Sequence, residues 1–184
     1  MNAVLSIAGS DSSGGAGVQA DIKTITAHGL FAETVITALT AQNTLGVRSV
    51  MEATARIVAD QIDAVFEDIP PVAVKVGMVS SAEIIEVIAE RLSAHRARNV
   101  VVDPVMVATS GSCLIDEGAV SALADALVPL ADIVTPNMPE AEVLAGFPVV
   151  DDDSMLRAAN AIVERAAAKG GATAVLVKGG HGTA

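Results

Sequence analysis

Leu5-Ser6-Ile7-Ala8-Gly9-Ser10-Asp11-Ser12-Ser13-Gly14-Gly15-Ala16-Gly17-Val18-Gln19-Ala20-Asp21 decides the fold. It opens as an apolar β-prone run, breaks into a glycine-rich loop, and resumes with Val18, Ile22 and Ile25 at helical spacing. A strand, a glycine loop and a helix N-terminus form a place where backbone N–H groups approach a ligand closely. The loop lacks the lysine of a GxxxxGK[ST] phosphate loop. A dinucleotide fingerprint fits it poorly, because six residues separate Gly9 from Gly15 where the turn should begin at once.

The same alternation continues outward. Ala3 to Ala8, Val72 to Val76, Val100 to Val102, Ile133 to Val134 and Ala174 to Val177 read as strands buried on both faces. Helical periods fill Ala55 to Glu67, Ser81 to Arg96, Pro139 to Ala145 and Ser154 to Lys169, the last ending at Gly170-Gly171. Ser80 with Glu83 predicts a capping box. Phe31 to Leu39 and Val47 to Ala53 break the alternation and read as strands near a sheet edge, or a flap over the site. The expectation is one α/β domain over residues 1–184, with a mainly parallel sheet and right-handed crossovers.

Composition excludes several classes. Net charge is −11 and aromatics are 2%, with neither Trp nor Tyr, so the chain lacks the basic footprint and stacking platforms of a nucleic-acid binder. Hydrophobic residues reach 52%, yet no run approaches the roughly 20 apolar residues of a membrane span. One cysteine, Cys113, and an N-terminus without a signal-peptide pattern point to the cytoplasm.

Polar residues at strand ends are the candidates for chemistry. Asp21, four residues past Gly17, is expected in the first turn of the first helix, where a carboxylate also suits the helix dipole. Gln42 lies in an uncharged stretch, and its amide offers a donor–acceptor pair or a bond to its own backbone. Asp103 ends a buried strand before Pro104, as a site residue or as an Asx turn. Asn137 and Glu140 have the spacing of an N-cap pair. Lys178 ends the last strand beside Gly179-Gly180, which suits phosphate neutralisation or plain solvation.

The opening stretch, with Val35-Ile36-Thr37-Ala38-Leu39-Thr40-Ala41-Gln42-Asn43-Thr44, resembles hydroxymethylpyrimidine/phosphomethylpyrimidine kinases, and matching spacing runs from Met1 to His181. The resemblance implies a ribokinase-like three-layer α/β/α fold. It implies transfer of the ATP γ-phosphate to 4-amino-5-hydroxymethyl-2-methylpyrimidine, then to its monophosphate, in thiamine biosynthesis. Gln42 and Asp21 become pyrimidine contacts, with Gly9, Met78 and Val105 walling the pocket. Asn137 and Lys178 fall to the nucleotide, and Glu140 and Asp103 to Mg²⁺. His181 is expected to be structural, and Cys113 is not the family's catalytic cysteine by position. The anion hole and catalytic group of that class match nothing in these 184 residues, so they are expected beyond Ala184 and the chain alone is expected not to turn over. A pyridoxal kinase of the same fold and a non-catalytic pyrimidine-binding protein are the alternatives, and the oligomeric state stays open.

Overall fold

The computed structural model describes residues 1–106 and 117–179. Among the described residues, seven strands form one sheet: β1 (Ala3–Asp11), β2 (Phe31–Asn43), β3 (Gly46–Glu52), β4 (Ala73–Val76), β5 (Val100–Val102), β6 (Ile133–Val134) and β7 (Ala174–Val175). Their order is β3-β2-β1-β4-β5-β6-β7, and every neighbouring pair is parallel except the β2–β3 hairpin at the edge. Helix α1 (Gly17–Ala27) joins β1 to β2, and α2 (Ala55–Asp68) returns the chain past β1 to β4. Then α3 (Ala82–Ala94), α4 (Glu117–Ala122), α5 (Met138–Ala145) and α6 (Asp152–Ala168) accompany the march to β7.

Right-handed crossovers put connections that run in opposite directions along a sheet on opposite faces. Leu5 and Ile7 of β1 face one side with Val74, Val76, Val100, Val102 and Val134, all buried. Val58 and Ile62 of α2, Ile84, Ile85 and Ile88 of α3, Ala119 of α4 and Ile162 of α6 pack into that same core. Helix α1 lies on the other face, above a register row of Thr34, Ser6 and Lys75. That row continues through Val101 and Ile133, and Ile133 is exposed. Helices on both faces make the three layers expected from the sequence.

Two local expectations change. Ser80 does not cap α3; its hydroxyl donates instead to Glu52, and the N-cap residue is Ser81, without a side-chain cap bond. Asp21 stands a full turn inside α1, whose first turn carries no acid, so the helix dipole does not explain it. A helical stretch absent from the sequence reading follows residue 117. It runs from α4 through a π-turn over Leu123–Leu127 into a 3₁₀ turn at Val128–Leu130, burying Ala119, Leu123 and Leu127. Among the described residues, no helix is long and apolar enough to cross a membrane. Cys113 and His181 lie outside the described residues.

Gly17 enters α1 with φ +56, and a Cβ there would sit 2.2 Å from the carbonyl oxygen of Gly9. The loop therefore closes back onto the end of β1 only because this residue has no side chain. Gly29 has a similar φ of +73 but open space around it. Gly17→Ala and Gly29→Ala should each cost roughly 1–2 kcal/mol for the left-handed backbone, with the clash adding to the loss at Gly17 alone. Urea unfolding of the two variants checks this; equal losses would contradict the close approach.

Candidate active site

The chain leaves β1 toward β2 in one direction, then crosses back to β4 and runs the other way. Ligands collect at such a reversal, beyond the carboxyl ends of the strands. A cleft of about 330 Å³ lies there, between the ends of β1, β4 and β5. All five residues assigned above to the acceptor line it: Gly9, Asp21, Gln42, Met78 and Val105. Asp103 and Lys75 line it too.

The glycine loop is a wall, not a phosphate cradle. Asp11, only 3% exposed, turns its carboxylate into the loop and accepts from the amides of Ser13 (2.8 Å), Gly15 (3.0 Å) and Ala16 (2.8 Å), and from the Ser13 hydroxyl. The amides that sequence reading offered to a ligand are thus taken by the chain's own carboxylate. Burial alone would push this carboxyl up, but the bonds from Ser13, Ala16 and Gly15 outweigh it and hold the pKa below the ordinary aspartate value. The Asp11 amide donates to Gln19 Oε1, and Gln19 Nε2 donates to the Ser10 hydroxyl, which fixes the loop onto α1.

The hairpin supplies the opposite wall. Ser12 donates from its hydroxyl to the Gln42 carbonyl (2.7 Å) and accepts from the Gln42 amide N–H (2.8 Å), so loop and β2 are laced together. The Gln42 side chain makes no hydrogen bond with any described residue, although it lines the cleft; the local backbone bond is not formed. Gly9 admits Met78, since a Cβ there would lie 2.7 Å from the methionine Cε. Asp21 is not free: Ser6 Oγ donates to it at 2.6 Å and Lys75 Nζ at 2.8 and 2.9 Å. Neither Lys75 nor Asp11 was singled out for these roles by the sequence.

A second cluster adjoins the cleft beyond β5 to β7. Lys178 forms an isolated bridge with Asn137 and donates from Nζ to Asp103 Oδ1 at 2.7 Å, where Thr135 also donates at 3.3 Å. Asn137 and Glu140 form the complete reciprocal cap of α5. Glu140 is nonetheless buried, and burial pushes its carboxyl above the ordinary glutamate value. The Asn137 amide, the Lys178 ammonium and the Met106 amide offset part of that rise, while nearby Asp103 adds to it. Two carboxylates facing one lysine offer the hard oxygen donors Mg²⁺ takes. No group of three or more His, Cys, Asp or Glu gathers among the described residues, so a divalent cation would fit here only with waters and phosphate oxygens completing its shell.

Residues 11–184 match the phosphomethylpyrimidine kinase family. The chain belongs to that family. Among phosphomethylpyrimidine kinase relatives, a hydroxymethylpyrimidine/phosphomethylpyrimidine kinase of Rhizobium meliloti is 54% identical over 96% of this chain and 65% of its own length. A thiamine biosynthesis bifunctional protein of Geobacter sulfurreducens is 55% identical over 97% of the chain and 35% of its own length. The chain therefore spans about two thirds of the single-function kinase and about a third of the bifunctional protein. The crystal structure of a Clostridium difficile phosphomethylpyrimidine kinase superposes with a TM-score of 0.91 at 49% identity, covering all of this chain and 78% of that one. A Staphylococcus aureus pyridoxal kinase in complex with AMP-PCP and pyridoxal reaches 0.85 at 34% identity, covering 98% and 63%. The ribokinase-like fold expected from the sequence is the fold of these kinases.

Asp11→Ala would strand the amides of Ser13, Gly15 and Ala16, at roughly 1–3 kcal/mol near neutral pH. A depressed carboxylate pKa gives stability that is present above the unfolded value and lost as pH falls through the folded one. The gap between wild type and Asp11→Ala in urea unfolding should thus be full at pH 7 and shrink only below the ordinary aspartate range, about 3.9. A gap independent of pH would show that the anion is not what holds the loop.

Proposed function

We propose that residues 1–184 are one ribokinase-like domain holding the acceptor and part of the nucleotide in an ATP-dependent kinase. Its acceptor is 4-amino-5-hydroxymethyl-2-methylpyrimidine, and the monophosphate so formed is the second acceptor, giving the diphosphate used in thiamine biosynthesis. The observation that carries this reading is the Gln42 amide. It lines a cleft of small-molecule size with no protein partner among the described residues, opposite a carboxylate that is fixed in place. An amide and a carboxylate together match the donor and acceptor edge of an aminopyrimidine. Gly9, Met78 and Val105 would wall the ring, which needs apolar contact on its faces.

Phosphoryl transfer asks a protein mainly for position and charge. Asn137 and Lys178 would meet the nucleotide phosphates, with the lysine ammonium neutralising oxygens that gain charge. Asp103 and Glu140 would hold Mg²⁺ through its waters; when bound, that ion offsets phosphate charge. Identity of 46–55% to relatives named as kinases or as the bifunctional protein of thiamine biosynthesis supports the phosphotransferase reading. The likeness to pyridoxal kinases makes pyridoxal the competing ligand to include in every assay.

Gln42→Ala should weaken binding of the free pyrimidine by about 5- to 150-fold in calorimetry, the equivalent of roughly 1–3 kcal/mol for an unpaired ring edge. Unchanged affinity would remove Gln42 from the site. Lys178→Ala should weaken Mg-ATP binding while pyrimidine affinity holds, and the reverse pattern would mean that the two ends of the cleft are exchanged.

A further inference from the structure

Lys75 is a charged residue in the middle of a sheet, between Val74 and Val76, which are fully buried. A lysine there needs a specific partner and room for its head. Both are built. Gly77 leaves the room, since a Cβ at that position would lie 3.1 Å from Lys75 Nζ and 3.2 Å from the Ala8 Cβ. The partner is Asp21, whose side chain is 18% exposed and lies across the sheet face from α1.

The lone pairs of Asp21 decide what this pair does. An ionised carboxylate has about four acceptor positions. Ser6 Oγ and Lys75 Nζ fill two on Oδ2, and Lys75 Nζ fills one on Oδ1. Among the described residues, nothing fills the remaining position on Oδ1, and Asp21 lines the cleft. Ser6 is fully buried and in direct register with Lys75, so the strands fix both donors before any ligand arrives.

We propose that Lys75 is the positioning residue for acceptor specificity: with Ser6 it leaves Asp21 a single open acceptor, aimed at a ring amino group. Because the inference rests on reading the cleft as an aminopyrimidine site, its test separates the two. Asp21 so held rewards a ligand that brings an N–H donor. A ligand bringing only C–H or a carbonyl to that point leaves a partly desolvated carboxylate unpaired.

The experiment is calorimetry on the full chain with 4-amino-5-hydroxymethyl-2-methylpyrimidine and with its analogue carrying hydrogen in place of the 4-amino group. Wild type should prefer the amino compound. Lys75→Met should weaken the amino compound by about 10- to 100-fold, the range of one charge-assisted hydrogen bond, and change the analogue by less than about 3-fold, so that discrimination collapses. Binding of the analogue doubles as the control that the variant is folded. Lys75→Arg, which keeps the charge and the donors, should restore most of the preference. Equal losses for both compounds, or a preference that survives Lys75→Met, would overturn the role of Lys75 while leaving the site intact. Failure of wild type to bind either compound would instead overturn the reading of the cleft.

Discussion

The direction in which the chain leaves β1 governs the molecule. This strand is central, pairing with β2 on one side and β4 on the other. Because crossovers between parallel strands keep one hand, the step to β2 places α1 on one face, and the march from β4 to β7 places α2, α3, α4 and α6 on the other. β1 therefore buries Leu5 and Ile7 in the main core and turns Ser6 beneath a helix that carries an aspartate. The cleft is what remains where the two directions part, at the ends of β1 and β4. Nothing in the cleft had to be carved; the topology leaves it open, and the loops line it.

Much of this was legible because buried parallel strands announce themselves as apolar runs. Val100 to Val102 and Ile133 to Val134 appear as strands with those bounds, and the irregular residues 31–53 are the edge hairpin. The stretch after residue 117 was not legible. Its buried Ala119, Leu123 and Leu127 recur every four residues, which is a helical signal, but the stretch passes through a π-turn that shifts the register and then carries Pro129 in its final 3₁₀ turn. Ser80 and Glu83 show the converse error. The spacing is that of a capping box, yet the helix starts one residue later because Glu52, from the hairpin, takes the Ser80 hydroxyl. Local signals lose when a distant partner offers a better bond.

The site repeats that lesson more strongly. Asp103 and Lys178 stood out by their strand ends and Asp21 by its place in the first helix; Asp21 and Asp103 line the cleft, and Lys178 donates to Asp103 at its edge. Their pairings were hidden. Lys75 and Asp21 are 54 positions apart and Lys178 and Asp103 are 75 apart; the packing of α1 on the sheet brings the first pair together, and the side-by-side strand ends bring the second. Asp11 was hidden for another reason. Its partners lie two to five residues away, within reach of sequence reading, but a glycine-rich loop before a helix suggests a ligand from outside, not an anion supplied by the chain itself.

These pairings solve an electrostatic difficulty. A chain of net charge −11 with three aspartates around its cleft among the described residues would repel phosphate, and an unpaired carboxylate in a half-closed site carries a desolvation cost. Each of the three is answered by a different device. Asp11 is satisfied by backbone amides and a hydroxyl, and its charge stays with the loop. Asp21 is matched by Lys75 deep on the sheet face, where partial burial limits screening by salt. Asp103 is matched by Lys178 on the rim, with the lysine 42% exposed, so that pair is the most easily rearranged of the three. The gradient runs from a fixed polar wall at the glycine loop and α1 to an exposed ion pair beyond β5. On the proposed reading, a small heterocycle would meet the fixed partners, and a phosphate that must arrive and leave would meet the lysine whose exposed ion pair opens most easily.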